Sequence, residues 1–160
     1  MNEQRKQFKS PWDLLLIGMT VGIVGLLLVI NAVAGIVWVV VMNLAIIAVS
    51  AALGVYGYSI QEGKLKILRL GWSKDIDLSS IKNVEVKPLA MMGSIRTLGI
   101  GGLFSYMGNF KNGMLNSYKA YVTHREKTVL LTLHTDEQVV VSPDDPATFV
   151  ESIRSEIGRK

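Results

Sequence analysis

"YKAYVTHREKTVLLTLHTDEQVVVSP", residues 118–143, sets the architecture of the C-terminal two thirds of this chain. Two turn-like interruptions, His124-Arg125-Glu126 and His134-Thr135-Asp136-Glu137, cut it into three short runs rich in β-branched residues. Such runs, bounded by polar turns, read as strands. Directly after them the period changes. Ser142-Pro143-Asp144-Asp145-Pro146 offers a cap, early prolines and acids at the positive end of a helix dipole. Phe149, Val150, Ile153 and Ile157 then recur at helical spacing and give one apolar face. Gly158 and the basic Arg159-Lys160 fit a helix end. Three strands followed by a closing helix over about 143–157 is the expectation.

On the N-terminal side of this stretch, "YSIQEGKLKILRLG" (58–71) holds two strand-like runs about Glu62-Gly63, with polar and apolar residues alternating from Lys64 to Ile67. "VEV" (84–86) is a further strand candidate. Upstream the character is different. Leu14 to Ile30 runs without a charge, and after a break at Asn31–Gly35 a second uncharged run extends from Ile36 to about Tyr58. About 18 or more such residues suffice for a helix to cross a bilayer. Trp12 and Trp38, with Tyr56 and Tyr58, stand near the ends of these runs, where aromatic side chains favour the headgroup level. Ser10 and Asp13 have the spacing of a capping box before the first helix, and Pro11 suits its first position.

The expected organisation is therefore an N-terminal tail (1–11), a two-helix transmembrane hairpin (12–58, helices about 12–30 and 35–58) and a mainly β domain (59–160). Cleavage after Ala32-Val33-Ala34 is disfavoured because the apolar run exceeds a usual signal-peptide core. Arg5, Lys6 and Lys9 in the tail, an uncharged hairpin turn and a basic C-terminal part place both termini in the cytoplasm by the positive-inside rule. Gly18 and Gly22 form a small-residue pair that reads as packing between the two helices, and Asn43 reads as interhelical glue. Neither run contains an acid, a histidine or a lysine, so ion transport has no support.

"GIGGLFSYMGNF" (99–110) raises the question of a phosphate cradle. Gly99 and Gly101 match the start of a dinucleotide fingerprint, but its last glycine position is Phe104, and no P-loop string occurs. The residues after Phe104 are strand-like, so the anion-holding helix N-terminus is missing. The stretch reads as a glycine-rich bend in a β-domain. Gly99, Gly101, Gly102, Phe104, Tyr106 and Phe110 remain candidates for a partner-binding or lipid-facing loop.

The words "YSIQEGKLKI", "IDLSSIKNVEV", "GIGGLFSYMGNFKNG", "KAYVTHREKTVLLTL" and "VVVSPDDPATFVESI", in that order, resemble the bacterial PH-like membrane-protein family. The resemblance covers about residues 58–157. It implies a pleckstrin-homology-like plan, a strongly bent antiparallel sheet or barrel closed by a C-terminal α-helix, following a membrane α-helical hairpin. It implies no catalytic residues. Classical PH domains carry headgroup-binding bases around their first hairpin, and the nearest matches here are Lys64, Lys66, Arg69 and Lys74.

Charge distribution points the same way. Residues 63–119 carry nine bases against three acids, whereas 120–160 carry five against seven. The basic half comes directly after the apolar runs and suits an anionic membrane surface. With no cysteine and no clustered ligands, His124 and His134 read as solvated turn residues; metal sites, cofactors and thiol chemistry are not expected. No nucleic-acid motif accompanies the charge. The expected function is a non-enzymatic protein of the bacterial inner membrane. It would present its domain at the cytoplasmic surface to anionic phospholipid or a protein partner, or alternatively act as a homo-oligomerising scaffold.

Overall fold

A computed structural model of the chain describes residues 6–158. Arg5, Arg159 and Lys160, which bear on orientation and helix ending in the sequence, lie outside the described residues. In chain order the elements are β1 (Lys6–Lys9), α1 (Leu14–Ala34), α2 (Val37–Leu53), β2 (Gly57–Gln61), β3 (Lys64–Leu68), β4 (Ser73–Asp77), β5 (Ile81–Val86), β6 (Ile95–Leu103), β7 (Ser105–Asn112), β8 (Asn116–Val122), β9 (Val129–Leu133), β10 (Gln138–Val141) and α3 (Pro146–Ile157).

The strands form two sheets, ordered β1-β2-β3-β4 and β5-β9-β10-β8-β7-β6. This corrects the expected single bent sheet or barrel: the sheets are separate and do not close. Nor is the pairing wholly antiparallel, because β10 runs parallel to β8 while pairing antiparallel with β9. The three runs of the 118–143 stretch are indeed strands. The last two insert between β8 and β5 instead of extending a meander.

Both sheets and α3 enclose one core. Tyr58, Leu65 and Ile67 come from the first sheet, Val84, Leu131, Val139 and Val141 from the second, and Phe149, Val150 and Ile153 from α3. The six-stranded sheet also buries its other face. There Tyr106, Phe110, Ala120, Val122, Leu130 and Val140 meet Leu16 of α1 and Ala90-Met91 of the β5–β6 loop. Two covered faces explain why "TVLLTL" and "VVV" are continuous apolar runs. Helix α3 begins at Pro146, with Asp145 as its cap accepting from the Thr148 amide at 3.1 Å, three residues later than the 143–157 reading.

The N-terminal tail is not a free tail. Residues 6–9 pair antiparallel with β2, Lys6 opposite Ile60 and Lys9 opposite Gly57. Phe8 packs edge-on against Phe149 with ring centroids 5.1 Å apart. The two apolar helices are thus inserted between two paired strands, and the β-domain begins before them as well as at Gly57. Helix α1 has 21 residues, about 31 Å at 1.5 Å per residue, and is long and apolar enough to cross a membrane. Only 11% of its most apolar window is buried, so it is not the core helix of a globular domain. It runs through Asn31 to Ala34, narrowing the break read at 31–35 to Gly35 (φ 59°) and Ile36.

Helix α2 is apolar but shorter, 17 residues, and ends at Leu53. Tyr58 therefore does not mark a membrane boundary. It lies fully buried in β2. Asn43 does bridge the helices, its Nδ2 donating to Asn31 Oδ1 at 2.6 Å. Gly18 and Gly22 do not pack on α2: no atom lies within 4 Å of where their Cβ would be, so their face is open.

The glycines of the β6–β7 hairpin are dictated by close approach. Gly99 (φ 120°) and Gly108 (φ 125°) are cross-strand partners. A Cβ on Gly99 would sit 2.2 Å from the Met107 carbonyl oxygen, and one on Gly108 would sit 2.1 Å from that of Leu98. Alanine at either position is expected to cost about 2 kcal/mol or more through clash and left-handed strain. Gly113→Ala, in open space, should be near neutral. Denaturant unfolding of the three variants checks the contrast; equal midpoints would refute it.

Candidate functional site

Where the chain passes from β1 into α1, three short hydroxyl side chains are buried around one phenol. The Tyr58 hydroxyl donates to the Tyr121 carbonyl at 2.6 Å and accepts from the Ser142 amide at 2.9 Å, with Ser10 Oγ 3.4 Å away. Ser10 Oγ and Thr123 Oγ1 share a hydrogen bond of 2.6 Å, and the Thr123 amide donates to Ser142 Oγ at 2.8 Å. Ser10 is therefore a core partner and not the helix cap. The cap is Asp13, whose Oδ1 accepts from the Leu16 amide at 2.6 Å. Its Oδ2 accepts from the Arg125 amide at 3.1 Å, and its own amide donates to the Thr123 carbonyl at 3.0 Å. Burial pushes the Tyr58 phenol above its ordinary range, although its hydroxyl and amide partners pull the other way.

The glycine-rich hairpin lies along the first turns of α1. Thr20 Oγ1 accepts from the Phe104 amide at 3.2 Å and donates to the Gly102 carbonyl at 3.4 Å. Gly102 has φ 95°, a conformation that favours glycine, and lies against the flexible end of the Met19 side chain. Phe104, at the hairpin tip with φ 62°, packs edge-on against Trp12 at 6.1 Å. Gly101 sits against the Arg96 side chain. Tyr106 and Phe110 are buried in the sheet's second face, so they anchor the hairpin instead of presenting it. Of the candidate loop residues, Gly102 and Phe104 stand against the first turns of α1. The hairpin continues as strand β7 and not as a helix, in keeping with the reading against a nucleotide loop.

The four candidate bases are not brought together. Lys64 and Lys66 stand opposite Asp77 and Asp75 across the β3–β4 ladder, which offsets their charge; the Lys64–Asp77 pair is exposed at 4.0 Å. Lys74 lines a cleft of about 280 Å³ that also holds Asp75, Asp77 and Glu137. Arg69 is at the other end of β3, beside the α2 terminus: the Tyr56 amide donates to the Leu68 carbonyl at 2.9 Å, and the Arg69 amide donates to the Trp72 carbonyl at 2.9 Å. Its guanidinium lies 4.3 Å from the Trp72 ring centroid and 5.4 Å from that of Tyr121. Burial lowers its pKa, while Tyr121 acts in the opposite direction. In the same turn Leu70 is 62% exposed and Trp72 is exposed beside it. Sequence reasoning passes over these two, and "RLGW" between two strands is the available signal.

At the foot of α1 the structure opens a cavity of about 520 Å³ between the helix start, the β5–β6 loop and the β8–β9 turn. Leu14, Leu89 and Met92 form its apolar side; His124, Arg125 and Glu126 form its polar side. Arg125 Nε lies 3.5 Å from Asp13 Oδ2, and its guanidinium is 5.6 Å from the Tyr106 ring centroid. The sequence places His124 in a turn, where it is, but does not reveal what that turn faces. Among the described residues no group of three or more His, Cys, Asp or Glu is placed to hold a metal ion.

Residues 56–157 match a family model described as "Bacterial PH domain". No curated protein and no solved structure matches the chain.

The buried phenol makes a measurable prediction. Tyr58→Phe leaves the Tyr121 carbonyl and the Ser142 amide without their partner and is expected to cost about 2 kcal/mol. The folded state holds this phenol protonated beyond its ordinary range, so stability should fall from about pH 10 upward, where the unfolded phenol ionises and the folded one does not. Chemical unfolding across that pH range should show a shallower decline in Tyr58→Phe; parallel declines would contradict the assignment.

Proposed function

This chain belongs to the bacterial PH domain family, and on that premise we propose that it is a membrane-anchored binding module, not an enzyme. Helices α1 and α2 would cross the inner membrane as a hairpin and hold the domain at its cytoplasmic face. The observation that carries this reading is the insertion of both helices between the paired strands β1 and β2, which starts α1 and ends α2 at the same end of the domain. Around that end stand Trp12, Tyr56 and Trp72, the residue types that favour the headgroup level, with the apolar Leu70 and Phe104 beside them. At 17 residues, α2 reaches about 26 Å, at the short end of what spans a bilayer.

With the domain so placed, Arg69 is the base among the four candidates that lies nearest the bilayer, and the excess of lysine and arginine in residues 63–119 favours an anionic leaflet. Partners would be a phospholipid headgroup or a protein reaching the same surface. A second reading, a self-associating scaffold, is favoured by the open Gly18-Gly22-Gly25 face of α1, where a second helix could approach closely.

The native chain has no cysteine, so topology is directly testable. A single cysteine at Ala34, in the helix turn, should react with a membrane-impermeant maleimide applied to intact spheroplasts. One at Lys111, in the domain, should react only after lysis. Labelling of both from outside, or of neither, would contradict the hairpin arrangement.

A further inference from the structure

The cavity at the foot of α1 is divided by chemistry. On one wall are Leu14, 88% exposed, Met92, 65% exposed, and Leu89. On the other are His124, Arg125 and Glu126. The volume of about 520 Å³ is within the range of small-ligand sites. We propose that it seats the headgroup of one zwitterionic phospholipid. The phosphodiester would lie against Arg125 and His124 and the ammonium against Glu126, and the acyl chains would leave over Leu14, Leu89 and Met92. This rests on the membrane reading above, which puts the start of α1 at the bilayer boundary.

The polar wall is prepared for a phosphodiester. Asp13 and the Tyr106 ring hold the Arg125 guanidinium, which lowers the ordering cost of a charge-assisted contact. His124 Nδ1 accepts from the amides of Glu126 and Lys127 at 3.3 and 3.4 Å. Its ring proton is therefore on Nε2, and the imidazole is a donor. The charge pattern selects among phospholipids. Both oxygens of Asp13 are engaged by the Leu16 and Arg125 amides, whereas Glu126 forms no ion pair among the described residues. A purely anionic headgroup would meet that carboxylate, but one carrying its own ammonium satisfies it. A soluble phosphate ester would leave the three apolar side chains in water, which argues for a lipid source.

The test uses the full chain purified in detergent and offered equimolar phosphatidylethanolamine and phosphatidylglycerol, with retained lipid counted by native mass spectrometry. Wild type should keep one phosphatidylethanolamine. Arg125→Gln, and Met92→Asp at an exposed position, should each reduce its retention about tenfold. Glu126→Gln should abolish the preference over phosphatidylglycerol, and Lys82→Ala on a distant exposed ion pair should change nothing.

Equal retention by wild type and both pocket variants would overturn the site. So would displacement of all lipid by millimolar glycerol 3-phosphate, which would identify a soluble ligand. Vesicle flotation of the same wild-type protein separates the two levels. A chain that floats but keeps no lipid refutes the pocket alone, and one that does not float refutes the membrane reading beneath it.

Discussion

The hydroxyl of Tyr58 ties the two sheets to the route into the first helix, through Tyr121 at the end of β8, Ser142 after β10 and Ser10 after β1. A buried hydroxyl without partners is costly, so these groups must be satisfied together. Satisfying them fixes the path of residues 9–13. Asp13 then binds the Thr123 carbonyl and the Arg125 amide, and the first turn of α1 has little freedom left. The helix does not hang from the domain by a linker. Its first residues are part of the domain's hydrogen-bond network, and Leu16 is part of its apolar packing.

The six-stranded sheet completes that arrangement. One face packs on the first sheet and α3, the other on the β5–β6 loop and Leu16. The β6–β7 hairpin reaches past the end of β8 to lie on Thr20, roughly 9 Å along the helix from Leu14 at 1.5 Å per residue. Glycine at 99, 102 and 108 serves this approach: two residues let the strands nearly touch, and the third takes a left-handed φ of 95° beside Met19. The same stretch that suggests a nucleotide loop in the sequence is thus the clamp between sheet and helix.

Period and turn chemistry suffice to place β2, β3, β5, the three strands of 118–143 and the closing helix, because each is decided locally. The family is legible from the same words in order. Features that depend on distant partners are not. The strand at Lys6–Lys9 has four residues, and its only argument for being a strand is β2, about fifty residues away. Ser10 has the look of a cap because nothing local reveals that a tyrosine hydroxyl will claim it. The sequence overstates the length of α2 because Tyr56 and Tyr58 suit a membrane boundary equally well, and only the β2–β3 pairing pulls Tyr58 inside. Lys64, Lys66 and Lys74 group by sequence proximity, while the ladder sets acids opposite two of them and beside the third. The polar wall of the helix-foot cavity comes from a turn over a hundred residues from Leu14, a separation no local pattern bridges.

The insertion of both helices between β1 and β2 bears on how the protein is made. The first strand leaves the ribosome before either helix, yet its partner strand comes after both. In the proposed membrane arrangement, β1 must wait on the cytoplasmic side until the hairpin has been inserted and β2 has emerged. The helix pair then delivers the two strands to each other, so the long loop between them is closed by the bilayer and not by chain diffusion. A hairpin that inserted only one helix would leave the two strands on opposite sides of the membrane, and the first sheet would lack its edge strand β1. In that arrangement correct topology would be a precondition for seating β1, and a mis-inserted chain would leave the β2 edge unpaired.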